Sequence, residues 1–161
     1  MSEKNIDRVT AVLPSFIESA RQIFETMVFM PVSFGDATPK DKGYPTGSIS
    51  GTIGMAGDDQ RGTLSLIFPL PLAQAIFRAM MGMPENETVA DAELNDVVGE
   101  LSNMVAGGAK SRLQEIDVNF KIGLPTVVVG QNHYLDTPKE AQTVIVPVIT
   151  DKGSFHMELS F

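Results

Sequence analysis

The chain has 161 residues, 43% of them hydrophobic, and its 20 acidic and 12 basic side chains give a formal net charge of -8. This length and composition suit one ordinary domain with a sizeable core, so we expect a single domain over residues 1–161. The negative charge would repel phosphate backbones, and the sequence has no basic patch interleaved with aromatic residues. We therefore expect no nucleic-acid partner.

The absence of cysteine excludes disulfides, thiol nucleophiles and zinc–thiolate sites. The two histidines, His133 and His156, fit no metal-binding or Ser-His-Asp spacing, so we predict no metal site and no cofactor of the chain's own. The sequence has no apolar run of about 18 residues, and its first residues, MSEKNIDRV, lack the hydrophobic stretch of a signal peptide. These features predict a cytoplasmic protein that does not insert into a membrane.

The first half of the chain predicts a helix, an irregular segment and a hairpin. The helix covers residues 14–27 and could extend back towards Ile6, since apolar side chains recur there at the helical period and Pro14 suits a first turn. Residues 33–45 are rich in Gly, Pro, Asp and Lys, which indicates a loop or an irregular edge strand. The next apolar pattern has period two, which predicts strands over residues 48–55 and 63–68, joined by a turn at residues 57–59.

The second half predicts two helices followed by several strands. A short helix covers residues 72–81 and ends at Gly82. A long helix covers residues 92–115 and is preceded by a capping box of Thr88 and Asp91. Strands are predicted over residues 118–121, 125–130, 143–149 and 155–161. This order predicts an α+β fold in which a mostly antiparallel sheet carries helices packed on one face.

The long helix carries a polar stripe, defined by residues spaced three and four apart: Glu93, Asp96, Glu100, Asn103 and Gly107. At about 100° per residue these positions fall within roughly 80° of arc, and the apolar residues gather on the other side. Surface helices commonly intersperse Lys and Arg among their acids, but this stripe reaches a base only at Lys110. The stripe therefore indicates a surface for a partner that carries positive charge, with candidate partner-binding residues Glu93, Asp96, Gly107 and Lys110.

Glu100 and Asn103 are the candidate catalytic residues, because side chains three positions apart on a helix can act on one small region. A carboxylate can pair with a cation, and an amide both donates and accepts hydrogen bonds, so Asn103 can orient a water molecule without being consumed. Neither side chain is a nucleophile of its own. The competing interpretation is that both are solvated surface residues without a function, as most excess carboxylates are.

Three glycines interrupt the same helix, although each costs about 1 kcal/mol relative to Ala in an exposed helix interior. Gly107 follows Asn103 by one turn on the polar stripe, where a missing side chain would let another protein's backbone approach. Gly108 faces the core, where a glycine favours close packing. For Gly99 and Gly107, a functional and a packing interpretation both remain open.

Residues 98–107 (VGELSNMVAG) resemble the signature of the CheX-type chemotaxis phosphatases, within the wider CheC/CheX/FliY group. The pattern Glu-x-x-Asn-Met-x-Ala-Gly is quite specific, and the resemblance continues in residues 79–82 (AMMG) and 124–130 (LPTVVVG). It covers nearly the whole chain and is weakest before Gly47. The CheX/CheC-like fold that it implies agrees with the predicted order of elements.

The resemblance implies a phosphatase that hydrolyses the aspartyl phosphate of a phosphorylated CheY-like response regulator. By this analogy Asn103 orients the attacking water, Glu100 pairs with the regulator's active-site lysine, and the regulator supplies Mg²⁺. The single Glu-x-x-Asn implies one active helix, and CheX-like proteins are typically homodimers joined through their sheets. The alternative function is a non-catalytic interaction module, related to the flagellar switch, that binds a response regulator through the same face.

Overall fold

The computed structural model describes residues 3–40, 44–58, 60–137 and 141–161. Within these ranges the helices are α1 (Glu3–Ile23), which continues into a π-helical turn at Phe24–Val28, α2 (Leu70–Met81) and α3 (Asp91–Gln114). The strands, numbered β1 to β8 in chain order, are Ser33–Phe34, Thr38–Pro39, Gly47–Ala56, Arg61–Phe68, Lys121–Ile122, Thr126–His133, Thr143–Thr150 and Gly153–Ser160.

One antiparallel sheet holds the described strands, in the order β1-β7-β8-β4-β3-β5. β2 also pairs with β7, and β6 pairs with β3 on the same side as β5, so β6 lies at an edge of the sheet. The central hairpin of β3 and β4 is regular, with Ile49 opposite Phe68 and Ala56 opposite Arg61. Helices pack on one face of this sheet, and the predicted α+β class is confirmed.

Alternation along the central strands builds the core between the sheet and the helices. In β4 the side chains of Leu64, Leu66 and Phe68 are fully buried. Phe155 of β8 packs beside them, with its ring centroid 4.5 Å from that of Phe68 and 5.3 Å from that of Phe24. α3 lies over β3 and β4, and α1 packs alongside α3. The sheet and α1 together therefore fix the position of α3.

The opposite face of the sheet carries polar side chains that pair with one another. Ser50 Oγ lies 2.6 Å from Nε2 of His133. Lys40 Nζ donates a hydrogen bond of 3.1 Å to Glu158 Oε2, and both side chains are almost fully buried. Burial raises the pKa of Glu158, and the charge of Lys40 opposes that rise. Glu158 Oε1 is buried without a hydrogen-bond partner among the described residues, so the pairing is incomplete. Because the two pairs join different elements of the sheet, we assign them a structural role.

The first helix begins at Glu3, before the predicted start at Pro14, and the predicted extension back towards Ile6 is confirmed. Pro14 lies inside the helix, so the prediction that it forms the first turn is wrong. A proline in a helix interior removes one backbone hydrogen bond and costs about 3 kcal/mol. Burial of Val9 and Val12, which are 1% and 4% exposed, favours the longer helix and offsets that cost.

The start of α3 also differs from the prediction. The residue before the helix is Ala90, which forms no side-chain capping hydrogen bond, so the predicted capping box of Thr88 and Asp91 is wrong. Val89 and Leu94 occupy the two positions of a hydrophobic staple around this helix start, and both are buried. Apolar packing, and not a side-chain cap, therefore fixes where the chain enters α3.

Other elements agree with the prediction in type but differ in their ends. Of the strand predicted over residues 118–121, only Lys121 belongs to β5, because the preceding residues still close the end of α3. The Val118 amide donates to the Leu113 carbonyl at 2.9 Å, and Asp117 has a φ of 60°. The predicted turn at residues 57–59 includes Asp59, which lies outside the described residues.

Candidate functional site

Helix α3 is enclosed over most of its circumference. At about 100° per residue, its buried positions span roughly 200° of arc, from Val97 round to Gly99. They include much of the predicted apolar side and also a set of small residues beyond it: Gly99, Ser102, Ala106 and Ala109. Because small side chains let neighbouring elements come close, the sheet and α1 cover the helix on both of these sides. The polar stripe is the part of the helix surface that remains exposed to solvent.

The predicted site residues share this exposed side of α3. Glu93, Asp96, Glu100 and Asn103 are exposed, and the two flanking residues, Gly107 and Lys110, are half-buried. Among the described residues, neither Glu100 nor Asn103 forms a side-chain hydrogen bond or an ion pair. Both side chains are therefore available to a partner, and the roles predicted for these residues stay predictions.

Gly51 of β3 allows α3 to approach the sheet closely near Val98 and Ser102. A Cβ atom added to Gly51 would lie 2.1 Å from Ser102 Oγ and 3.0 Å from the carbonyl oxygen of Val98. The Ser102 hydroxyl is buried and donates a hydrogen bond of 2.8 Å to the same carbonyl. Ser102 lies between Glu100 and Asn103, so this contact positions the turn that carries the candidate pair. No local pattern in the sequence singles out Gly51 or Ser102 as part of this site.

Contacts with α1 fix α3 along its axis. Ser19 Oγ donates a hydrogen bond of 2.7 Å to the Val105 carbonyl, and a Cβ atom added to Gly108 would lie 2.3 Å from Ser19 Oγ. Further along the helix, Arg112 Nη2 donates to Gln22 Oε1 at 2.6 Å. Gly108 is therefore a packing glycine, as its predicted orientation towards the core indicates.

The other two glycines of α3 have different surroundings. A Cβ atom added to Gly99 would lie 3.4 Å from Val127 Cγ2 and 3.7 Å from the Pro125 side chain, so the start of β6 packs against the helix here. A Cβ atom added to Gly107 would meet no atom within 4 Å. Packing therefore gives no reason for a glycine at position 107, and the functional interpretation, in which a partner approaches the helix closely, stays a prediction. Gly99 fits the packing interpretation.

In the part of the chain that the structure describes, no group of three or more His, Asp or Glu side chains could hold a metal ion. Among the described helices, none is long and apolar enough to cross a membrane.

Comparison with known protein families gives a match over most of the chain. Residues 49–148 match the family model described as "Chemotaxis phosphatase CheX". This range includes α2, α3 and the candidate residues Glu100 and Asn103. No curated protein matches the chain.

Solved structures share both the fold and part of the sequence. A CheC-like superfamily protein from Shewanella sp. PV-4 is 33% identical with a TM-score of 0.83, over 92% of this chain and 96% of that one. The chemotaxis protein CheX from Vibrio vulnificus is 31% identical with a TM-score of 0.85, over 92% and 97% of the two chains.

A more distant match, at 20% identity and a TM-score of 0.71, is to the CheX–CheY–BeF3–Mg²⁺ complex from Borrelia burgdorferi, over 92% of this chain and 95% of that one. This likeness shows the fold alone. The family model covers more than half of the chain, and relatives above 30% identity extend over nearly all of it. The chain therefore belongs to the CheX family of chemotaxis phosphatases.

Proposed function

We propose that the chain hydrolyses the aspartyl phosphate of a CheY-like response regulator, using Glu100 and Asn103 as its catalytic pair. The observation that carries this proposal is the exposure of both side chains on the one side of α3 that the sheet and α1 leave uncovered. Neither side chain has a partner among the described residues, while the helix backbone beneath them is held by buried contacts. A rigid helix with unpaired polar side chains can enter the active site of another protein.

The reaction requires positioning more than covalent work from this chain. Water attacks phosphorus opposite the aspartyl oxygen, and the bond between phosphorus and that oxygen breaks. The products are the regulator's carboxylate and inorganic phosphate, which retains the two protons of the water. The Asn103 carbonyl oxygen would accept a hydrogen bond from the attacking water, and its amide NH₂ would donate to a phosphoryl oxygen. A neutral amide that holds this water in line is sufficient for the role.

The partner would supply the remaining groups. CheX from Borrelia burgdorferi forms a complex with CheY, BeF3 and Mg²⁺, and the proposal extends this class of partner to our chain. Glu100 would pair with the regulator's active-site lysine, and the regulator would hold the Mg²⁺. The rest of the exposed side would contact the rim of the regulator's active site through Glu93, Asp96, Gly107 and Lys110. The proposal places the protein in the cytoplasm, where response regulators are phosphorylated.

The function is tested by the phosphate lifetime of receiver domains from the same organism, each phosphorylated by a small-molecule donor in the presence of Mg²⁺. An equimolar amount of the chain is expected to shorten the lifetime for at least one regulator. If the chain binds an activated regulator and leaves its phosphate lifetime unchanged, the non-catalytic interaction module replaces the enzyme.

Glu100→Gln is expected to weaken binding to the beryllofluoride-activated regulator by about 30-fold, because the regulator's lysine would be buried without a counter-charge. Glu115→Gln is the matched control, since Glu115 is also exposed and lies roughly 22 Å further along the helix direction. Isothermal titration calorimetry measures both affinities. Equal affinities for the two variants would remove Glu100 from the proposed interface.

The proposal also includes a homodimer formed at the β6 edge of the sheet. β6 pairs with β3 and with no further strand among the described residues. Val129 is 64% exposed and Val128 is 36% exposed on this strand. An exposed edge with apolar side chains favours pairing with another chain. A second copy that aligns its own β6 here would extend the sheet around a two-fold axis.

Val129→Lys is expected to convert this dimer into a monomer, because a charged side chain on an edge strand opposes pairing. Ile149→Lys is the control, since Ile149 is 47% exposed and lies on β7, away from this edge. Sedimentation velocity measures the oligomeric state. A wild-type chain that sediments as a monomer, or a Val129→Lys variant that stays dimeric, would rule out the β6 interface.

A further inference from the structure

Leu124 is 90% exposed, the largest exposed fraction of any large hydrophobic side chain in the described ranges. It lies between β5 and β6, in the loop formed by residues 123–125. A single exposed leucine is ordinary on a protein surface and needs no explanation by itself. Its meaning therefore depends on how rigidly it is held and on what lies beside it.

The residues on both sides of Leu124 are anchored. The amide of Gly123 donates a hydrogen bond of 2.8 Å to the carbonyl of Gly54 in β3. On the other side, the ring of Pro125 lies against Gly99 of α3, and proline fixes its own φ angle. Leu124 therefore lies in a short loop that is anchored on both sides. Binding of a partner over Leu124 would cost little conformational entropy of the loop.

The loop borders the polar stripe at the height of the catalytic pair. Gly99, against which Pro125 packs, directly precedes Glu100. At about 100° per residue, Gly99 lies roughly 40° around the helix from Asn103, and within about one turn of it along the axis. Leu124 directly precedes Pro125, and the Cα atoms of consecutive residues are about 3.8 Å apart. Leu124 therefore lies close to the contact between Pro125 and Gly99. An exposed apolar residue thus flanks the exposed polar pair.

We propose that Leu124 is an apolar anchor of the docking surface, covered by an apolar patch that the regulator presents beside its phosphorylation site. The inference rests on the proposed function and extends its contact surface from α3 to the β5–β6 loop. The acidic stripe supplies charge complementarity to the regulator's cationic groups, and Leu124 supplies apolar burial next to it. A regulator with a charged side chain in the patch that covers Leu124 would lose hydration of that charge without gaining a hydrogen-bond partner. Leu124 would therefore help to select which regulator is bound.

The test compares Leu124→Ser with Ile116→Ser by titration calorimetry against the beryllofluoride-activated regulator. Ile116 is 58% exposed and follows the end of α3, roughly 20 Å beyond Asn103 along the helix direction, so it is a matched apolar control. Leu124→Ser is expected to raise the Kd by about tenfold or more, because burial of a leucine side chain is lost. Ile116→Ser is expected to leave the Kd unchanged. Both substitutions are at exposed positions, and thermal unfolding verifies that both variants fold.

The possible outcomes separate this inference from the function on which it rests. If the wild-type chain binds a regulator and Leu124→Ser binds it equally well, the anchor is disproved and the proposed function stands. If Leu124→Ser instead dissociates a dimer, a second copy of the chain covers Leu124, and its role as an anchor for the regulator is disproved. A wild-type chain that binds no activated regulator would overturn the proposed function and the anchor together.

Discussion

Asn103→Ala is expected to abolish the acceleration of phosphate loss from the regulator, lowering the rate at saturation by roughly a hundredfold or more. Removal of one hydrogen-bonding group aimed at a reacting centre typically has an effect of this size. The amide is exposed and unpaired among the described residues, so its loss leaves no buried group unsatisfied. The variant is therefore expected to fold normally and to bind the activated regulator with nearly wild-type affinity through Glu100.

Asn95→Ala provides the matched control for this substitution. Asn95 is an exposed asparagine in the same helix, but it lies roughly 80° around the helix from Asn103 at about 100° per residue. The half-life of the phosphorylated regulator is measured with each variant at saturating concentration. We expect Asn95→Ala to match the wild type. An Asn103→Ala variant that dephosphorylates the regulator as fast as Asn95→Ala would exclude the amide from catalysis.

Gly51→Ala is expected to lower both the stability of the fold and the rate of phosphate loss. The added Cβ atom would lie 2.1 Å from Ser102 Oγ and 3.0 Å from the Val98 carbonyl oxygen, so the Ser102 side chain must rotate, and we expect the backbone contact to shift α3 away from β3. Overpacking of a well-packed core typically costs about 1–3 kcal/mol of unfolding free energy. A displacement of about 1 Å in a reacting geometry can cost about a hundredfold in rate. Rotation of the Ser102 side chain would relieve part of the overlap, so we expect a loss of about tenfold.

Two further variants separate displacement of the helix from a general loss of stability. Gly54 lies in the same strand, and a Cβ atom added to it would meet no atom within 4 Å, so Gly54→Ala is expected to be nearly neutral. Adding Ser102→Ala to Gly51→Ala removes the 2.1 Å contact and is expected to restore part of the rate. Chemical denaturation and the phosphate half-life measure the two effects. A Gly51→Ala variant as stable and active as Gly54→Ala would show that the contact does not position the helix.

The sequence predicted elements correctly where local patterns decide them. The hairpin of β3 and β4 and the helices α2 and α3 follow from hydrophobic periodicity, and their types are confirmed. The ends were harder to predict, because tertiary contacts override local signals. Pro14 reads as a helix start, but the burial of Val9 and Val12 in the core favours the longer α1. The local pattern predicts a strand at Val118, but the Val118 amide donates a hydrogen bond to the Leu113 carbonyl at the end of α3.

The same distinction applies to the candidate site. The shared side of Glu100 and Asn103 follows from their spacing within one helix, so the sequence alone predicts it. The residues that hold this turn in place come from distant parts of the chain. The contact of Gly51 with Ser102 depends on how β3 lies under α3, and the contact of Gly99 with Pro125 depends on where β6 pairs. No local pattern in the sequence carries that information.

The most direct test of the central claim is a multiple-turnover measurement with limiting wild-type chain and about a tenfold excess of a phosphorylated CheY-like regulator with Mg²⁺. The assay records the amount of inorganic phosphate released over time, relative to the regulator's own hydrolysis. We predict that each molecule of the chain releases several equivalents of phosphate, and that the whole regulator pool loses its phosphate faster. Release that never exceeds the regulator's own rate, although the two proteins bind, would contradict the assignment of a phosphatase.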